Sequence, residues 1–459
     1  MGIKATSKPL FCHSKLLCVS VIYLFTSLFL ALYTSLISPT TCLFRHSPND
    51  PIQTPLFLYN SSYGEHKHAL PTFRSSCNSP VYFSDYWNAL KEINEFCENS
   101  TFLGSRNLRY IHEGNADSFG GNFSTKKRFS YFDRRPDDDG IEVPCGFFKR
   151  FPISNSDRIS MENCKGVVVI SAIFNDHDKI RQPKGLGKET PYSVCFYMFV
   201  DDVTLKGLQY HNLISTTTTS EEENSVGVWR IVKVEKEHLY ENSAMNGVIP
   251  KYLVHRLFPN SKYSIWIDAK MQLVVDPFLL IHSLVVKEDV DMAISRHPFY
   301  VHTMEEVMAT ARWKKWWDVD GLKKQMETYC HNGLQPWTSE KPYPSDVPDS
   351  AIILRKHCVA TNLFSCLIFN ELEGFNPRDQ LPFAYVRDLM NPKLKLNMFD
   401  VEVFEQVAVE YRHNLKNDGV NNPKVMPKKT KRASSEFLVN RTDSKCDSYL
   451  LKMWGESQD

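Results

Sequence analysis

The run Tyr263-Ser264-Ile265-Trp266-Ile267 is apolar at nearly every position and stops abruptly at Asp268-Ala269-Lys270. A strand with no polar face has to be covered on both sides, as strands are inside a mostly parallel sheet flanked by helices. Asp276-Pro277 closes the segment as a turn. A carboxylate at the carboxyl end of such a strand stands where open α/β sheets bind ligands. The competing reading is a solvated strand end, and the rest of the chain decides between them.

Gly166–Phe174 is a second run of this kind, ending in Asn175-Asp176-His177-Asp178. Val194–Val200 is a third, ending in Asp201-Asp202, and Trp229–Val234 and Asp291–Ser295 follow the same pattern. Between them Asn246–Phe258 has helical spacing, with Ile249, Leu253 and Leu257 apolar and Lys251, His255 and Arg256 polar. Strands alternating with helices predict an α/β layer fold with a largely parallel sheet. Asp176, Asp201, Asp202 and Asp268 would then share one acidic, concave edge, the expected substrate- or nucleotide-binding rim.

Leu16–Ile37 contains no charged residue, and a helix of that length at ~1.5 Å per residue spans a ~30 Å hydrocarbon core. Lys4, Lys8 and Lys15 precede it and Arg45 is the first basic residue after it. The positive-inside rule therefore predicts a type II anchor over residues 16–37, a cytosolic end at 1–15 and a lumenal remainder. The sequons at Asn60, Asn99, Asn122 and Asn440 all follow the anchor. Residues 38–140, rich in Ser, Asn and Pro, read as a lumenal stem, 141–416 as the main domain, and 417–459 as a polar tail. With 54 Lys+Arg against 53 Asp+Glu, bulk charge implies no nucleic-acid partner. Cys145 and Cys164 flank a polar loop and are the expected disulfide.

Two chemistries can be sought in these residues. Sugar transfer from a nucleotide donor needs the leaving diphosphate neutralised and, for inversion, a base on the acceptor hydroxyl. Where an Asp-x-Asp would hold Mn or Mg, this chain has Asp268-Ala269-Lys270, so Lys270 can supply part of that charge itself. His413 is a second metal or phosphate ligand candidate, and Asp379 is the candidate base, with a helix cap as its plain alternative. Hydrolysis instead needs an activated nucleophile or a metal-bound water. His297, His302 and Glu306, with Glu305, cluster after a strand and can be read as zinc ligands, although the spacing is not HExxH. Trp313, Trp316 and Trp317 recur at helical spacing within a helix expected from Met304 to Cys330. Core packing is the plain reading, and a sugar-stacking or membrane-edge platform the sharper one.

The run Cys145-Gly146-Phe147-Phe148, the Val168–Asn175 strand, Ile265–Lys270 and Arg378-Asp379-Gln380-Leu381-Pro382-Phe383 occur in order. Together they resemble a plant family of turgor-regulation-defect proteins and mucilage-related probable hexosyltransferases, over about residues 142–414. The resemblance implies a GT-A-like domain on a Golgi or endoplasmic reticulum anchor, with Arg378 and Gln380 at the substrate. It implies an alkaline ceramidase, hydrolysing ceramide to sphingosine and a free fatty acid with a role in turgor, as the leading activity. The alternative it implies is hexosyl transfer from a nucleotide sugar to a glycan or glycolipid acceptor.

Overall fold

The computed structural model describes residues 15–36, 63, 83–99, 108–112, 118–133, 140–214, 225–235 and 240–413. Its strands are β1 (Leu108–Ile111), β2 (Ile141–Pro144), β3 (Val167–Ile173), β4 (Val194–Val200), β5 (Ser225–Val226), β6 (Trp229–Lys233), β7 (Tyr263–Ile267), β8 (Met271–Leu273), β9 (Met292–Arg296), β10 (Pro348–Lys356), β11 (Leu396–Phe399) and β12 (Ala408–Glu410). Eight of these form one sheet in the order β11-β9-β10-β7-β3-β4-β6-β5. Ladders β7–β3, β3–β4, β4–β6 and β9–β11 are parallel, whereas β10 runs antiparallel to both β7 and β9, and β5 antiparallel to β6. The expected mostly parallel sheet is thus a mixed one, because β10 is threaded between two strands of the opposite direction.

The apolar runs are explained by helices on both faces. Along β3, Val168 and Ile170 enter one core and Val167 and Val169 the other; Trp266 of β7 faces the first, and Ile265 and Ile267 the second. The first core is covered by helices Ser243–Tyr252, Val359–Gly374 and Gln380–Leu389, and the second by Tyr86–Asn99 and Pro277–Ile281. Fully burying one such side chain is worth ~1.5–3 kcal/mol, so a one-residue slip of β7 would exchange the two faces at a large cost. Described parts of the segment expected as stem belong to this body. Tyr86 is buried and its hydroxyl lies 3.0 Å from Thr190 Oγ1, while Arg128 pairs with Glu371 in the interior.

The expected Cys145–Cys164 bridge is not formed. Cys145 follows β2 and is bonded to Cys366 of helix Val359–Gly374, and Cys164 is bonded to Cys195 of β4. Strand order sets these neighbours, since Cys195 stands in register with Val168 just beyond Cys164. The helix expected from Met304 to Cys330 is divided into Thr303–Arg312 and Val319–His331. The helix expected over Asn246–Phe258 divides into Ser243–Tyr252 and Val254–Leu257, and Lys251 and His255, expected on its polar face, are buried. Among the described residues no helix is long and apolar enough to cross a membrane. Lys15–Leu36 is helical, with described side chains at Cys18–Leu30 and Leu32. Asn60, Asn440 and the tail 417–459 lie outside the described residues, as does nearly all of the 1–15 segment.

Candidate functional site

The chain runs outward from β3 through β4 to β6, then returns to lay β7 on the other side of β3. Open α/β sheets bind ligands at the carboxyl ends of strands where the order reverses in this way, and Asp268 stands at that end of β7. The Asp268 N–H donates to Ala351 O of β10 at 2.8 Å, and its Oδ1 accepts from Trp266 Nε1 at 2.7 Å and Lys251 Nζ at 3.4 Å. Two residues on, Lys270 Nζ donates to Glu410 Oε1 at 2.8 Å. Glu410 is brought there by β12, which pairs with β8 opposite Met271, while Tyr411 N–H donates to Lys270 O. Burial opposes the charge on Lys270, yet the Asp268, Glu410 and Asp349 carboxylates hold its pKa above the ordinary lysine value.

Asp349 was not evident from sequence. It stands at the start of β10, opposite Ser295, just before a register shift that ends at Ile353. Its Oδ1 accepts from Ala351 N–H at 3.2 Å. Burial pushes its carboxyl up to about 6, against the opposing pull of Lys270. The apolar run Ile352-Ile353-Leu354 marks this strand, but the acid lies ahead of it, beyond the bulge.

Asp379 is 6% exposed and makes no cap bond at the start of Gln380–Leu389. Its carboxylate instead receives Lys251 Nζ at 2.7 Å, Tyr252 Oη at 3.0 Å and Ser350 Oγ at 2.9 Å. Burial would raise its pKa, but the Lys251 ammonium and these hydrogen bonds bring it below the usual carboxylate value. Lys251 thereby ties Asp379 to Asp268 and reaches Ser350 Oγ at 3.2 Å. Asp379 is thus held as a buried, paired anion, whereas burial raises the Asp349 carboxyl.

The other rim residues have divided roles. Asp201 caps helix Asp202–Tyr210 through Thr204 N–H and holds Asn175 N–H at 2.7 Å; Asp202 pairs with Lys233 at 3.0 Å. Asp176 is buried, with Lys179 Nζ at 3.4 Å from its Oδ1. Asp201 and Asp176 shape the loop after β3, while Asp202 ties the end of β4 to β6. Asp178 of that loop reaches the site, accepting from His413 Nδ1 at 2.9 Å, and this bond raises the His413 pKa. The loop is sewn down beyond that point. Asp276, fully buried, accepts from Gly187 N–H and Thr190 Oγ1, and Gly185 has φ +67° where a Cβ would strike Val274 O.

His297 and Glu306 come together, with Nε2 4.0 Å from Glu306 Oε2, and burial lowers His297 to about 4. Arg378 Nη2 donates to Glu306 Oε1 at 2.7 Å, and Gln380 follows at the start of the next helix. His302 does not join them: it is buried at the cap of Thr303–Arg312, facing Leu334, Gln335 and Asp346. The expected zinc set is therefore not assembled. Among the described residues the group that brings three metal-type ligand atoms within 4.8 Å is Cys145, His255 and Cys366, and its two sulfurs are bonded to each other. Around Asp268 the hard oxygen donors suit Mg or Mn in kind, but the Lys270 ammonium sits among them and holds Glu410. A divalent ion does not fit that arrangement. Asn122 is exposed and Asn99 ends a helix.

Comparisons with known proteins agree with this architecture at the level of family. The chain is 61% identical over 462 residues to alkaline ceramidase TOD1 of Arabidopsis thaliana, covering 98% of each. It is 37% identical over 306 residues to the probable hexosyltransferase MUCI70 of Arabidopsis thaliana, covering 63% of this chain and 51% of that protein. Among solved structures it resembles mouse xyloside xylosyltransferase 1 (TM-score 0.31, 8% identity, 51% of this chain and 85% of that one). It also resembles the bifunctional glycosyltransferase WbbM (TM-score 0.28, 10% identity, 51% and 39%). The family model for the TOD1/MUCI70 glycosyltransferase-like domain matches residues 101–413, and the chain belongs to that family.

Proposed function

We propose that this protein transfers a sugar from a nucleotide diphosphate donor to a hydroxyl acceptor at the carboxyl ends of β3 and β7. The observation that carries this reading is Lys270, an ammonium held at the carboxyl edge of a doubly covered sheet by Asp268, Asp349 and Glu410. In the reaction the acceptor oxygen forms a bond to the anomeric carbon as the bond from that carbon to the diphosphate oxygen breaks. The leaving diphosphate keeps the electron pair, and Lys270 neutralises it, exchanging Glu410 for phosphate. The acceptor proton passes to Asp349, whose pKa near 6 places it closer to working pH than Asp379. Asp268 and Lys251 position the two halves of the site.

A second reading is favoured by one observation, the ceramidase name of the 61% identical relative. It would have this chain hydrolyse ceramide to sphingosine and fatty acid. His297 with Glu306 is the part of the chain nearest to such chemistry, and His302 stands apart from it. In either case we propose a type II anchor at 16–37 in Golgi or endoplasmic reticulum membrane, on the charge and length of that segment. Detergent-solubilised full-length protein, given a panel of nucleotide sugars and, separately, ceramide at alkaline pH, tests both. Release of nucleoside diphosphate without fatty acid supports transfer; fatty-acid release without it replaces transfer by hydrolysis.

A further inference from the structure

The Cys145–Cys366 bridge has a third member. His255, on helix Val254–Leu257, points its Nε2 between the two sulfurs and lies 3.5 Å from each. All three residues are buried, and their ligand atoms lie within 4.8 Å of one another. Disulfide sulfur is a poor hydrogen-bond partner, and the other ring nitrogen, Nδ1, is buried with no hydrogen-bond partner among the described residues. An imidazole so deep in the core and so thinly compensated calls for an explanation beyond packing. The distances supply one. In a tetrahedron with Zn–S of ~2.3 Å and Zn–N of ~2.0 Å, the nitrogen-to-sulfur edge is about 3.5 Å. His255 therefore already stands at zinc-site distance from both sulfurs.

We propose that the reduced protein binds one zinc ion through Cys145, Cys366 and His255, so that bridge and ion are alternative ties between β2 and helix Val359–Gly374. A dithiol reductant supplies two electrons: the sulfur–sulfur bond breaks, each cysteine takes a proton, and the dithiol leaves as its own disulfide. Zinc then displaces those two protons to solvent, the sulfurs move apart to about 3.8 Å, and a water completes the tetrahedron. Two thiolates and an imidazole, with no carboxylate in the group, select a soft or borderline ion over Mg or Ca. The thiolates also cancel the charge of a divalent ion, so the filled site is neutral at a depth where net charge is costly. The proposal stands apart from both the transferase and the ceramidase reading.

The test uses full-length protein in detergent, reduced with a phosphine, which binds these ions weakly and is itself converted to its oxide. Cobalt(II) serves as the visible probe and zinc as its competitor. The reduced parent should take up one equivalent of cobalt with thiolate-to-metal charge-transfer absorption, which zinc abolishes, and the oxidised parent should show none. His255→Gln should weaken zinc binding at least about tenfold, whereas Cys164→Ala/Cys195→Ala, which removes the other bridge, should leave it unchanged. In the parent alone, zinc should slow alkylation of Cys145 and Cys366 but not of Cys164 and Cys195. Absence of the absorption in the reduced parent, equal zinc affinity in parent and His255→Gln, or alkylation rates indifferent to zinc overturns the site. So does a reduced parent that fails to hold its fold in zinc, or one that takes copper(I) but neither cobalt nor zinc.

Discussion

Lys270 carries a positive charge where burial disfavours one, and three carboxylates keep it there. If that charge is for a diphosphate, Lys270→Ala should weaken nucleoside diphosphate binding by roughly 1.5–3 kcal/mol, the range for a hydrogen bond to a charged group. Lys270→Asp would create Asp-x-Asp beside Glu410, and calorimetry should show nucleotide binding becoming more dependent on Mn or Mg than in the parent. Affinity unchanged in both variants would clear Lys270 of this role. Asp349 makes a prediction in pH. Burial raises its pKa from 3.8 to about 6, so below pH 6 it is mostly protonated and cannot accept the acceptor proton. Transfer should therefore rise with pH through an acid limb near 6. Asp349→Asn should lower kcat by about 10²–10⁴-fold, remove that limb from the residual rate and leave nucleotide binding intact. A full rate in Asp349→Asn assigns the base elsewhere.

At the scale of elements, what was legible in the chain was what both faces of a strand impose. β3, β4, β7 and β9 are visible as apolar runs because the sheet is covered on both sides. Asp268 was visible because it ends one of them. Asp201 and Asp202 looked the same, yet one caps a helix and the other pairs on the surface; a carboxylate at a strand end satisfies either need. Lys251 shows in sequence only as a polar position of a helix, because helical spacing distinguishes faces without telling that both can be enclosed at a sheet edge. Its two carboxylate partners come from 17 and 128 residues away, a juxtaposition that only strand order creates. The buried Arg128–Glu371 pair is of the same kind, joining residues 118–133 to helix Val359–Gly374 at 2.8 Å. Arg128 also donates to Phe123 O at 2.7 Å. Arg128→Ala would strand a carboxylate whose pKa burial already raises, so the expected loss is about 3–5 kcal/mol, read as a lower urea midpoint. A midpoint equal to the parent's would mean that this segment does not share the cooperative unit of the sheet.

For the whole molecule the proposed anchor poses a question of topology: on which side of a membrane the sheet would stand. Among the described residues two disulfides, Cys145–Cys366 and Cys164–Cys195, cross the core, the first between residues separated by 221 positions. Bridges of this kind persist in oxidising compartments and are rare in the cytosol. Closing so long a loop in the unfolded chain is worth about 5 kcal/mol in the chain-entropy description, so a reducing environment would deprive the domain of a large part of its stability. The charge-free segment Leu16–Ile37, with its basic residues on the amino-terminal side, points the domain the same way. Asn122 adds an internal reporter: the middle residue of its sequon, Phe123, is buried, while Asn122 itself is exposed with φ +47°. In sealed microsomes the domain should resist added protease until detergent is supplied. Endoglycosidase should increase gel mobility, and Asn122→Gln should remove part of that shift. Cleavage of the domain in intact vesicles, together with an unmodified Asn122, would place the sheet in the cytosol and overturn the topology. In the proposed orientation, Cys145→Ala/Cys366→Ala should lower the urea midpoint of the oxidised protein toward, but not to, that of the parent in reductant, which also opens Cys164–Cys195.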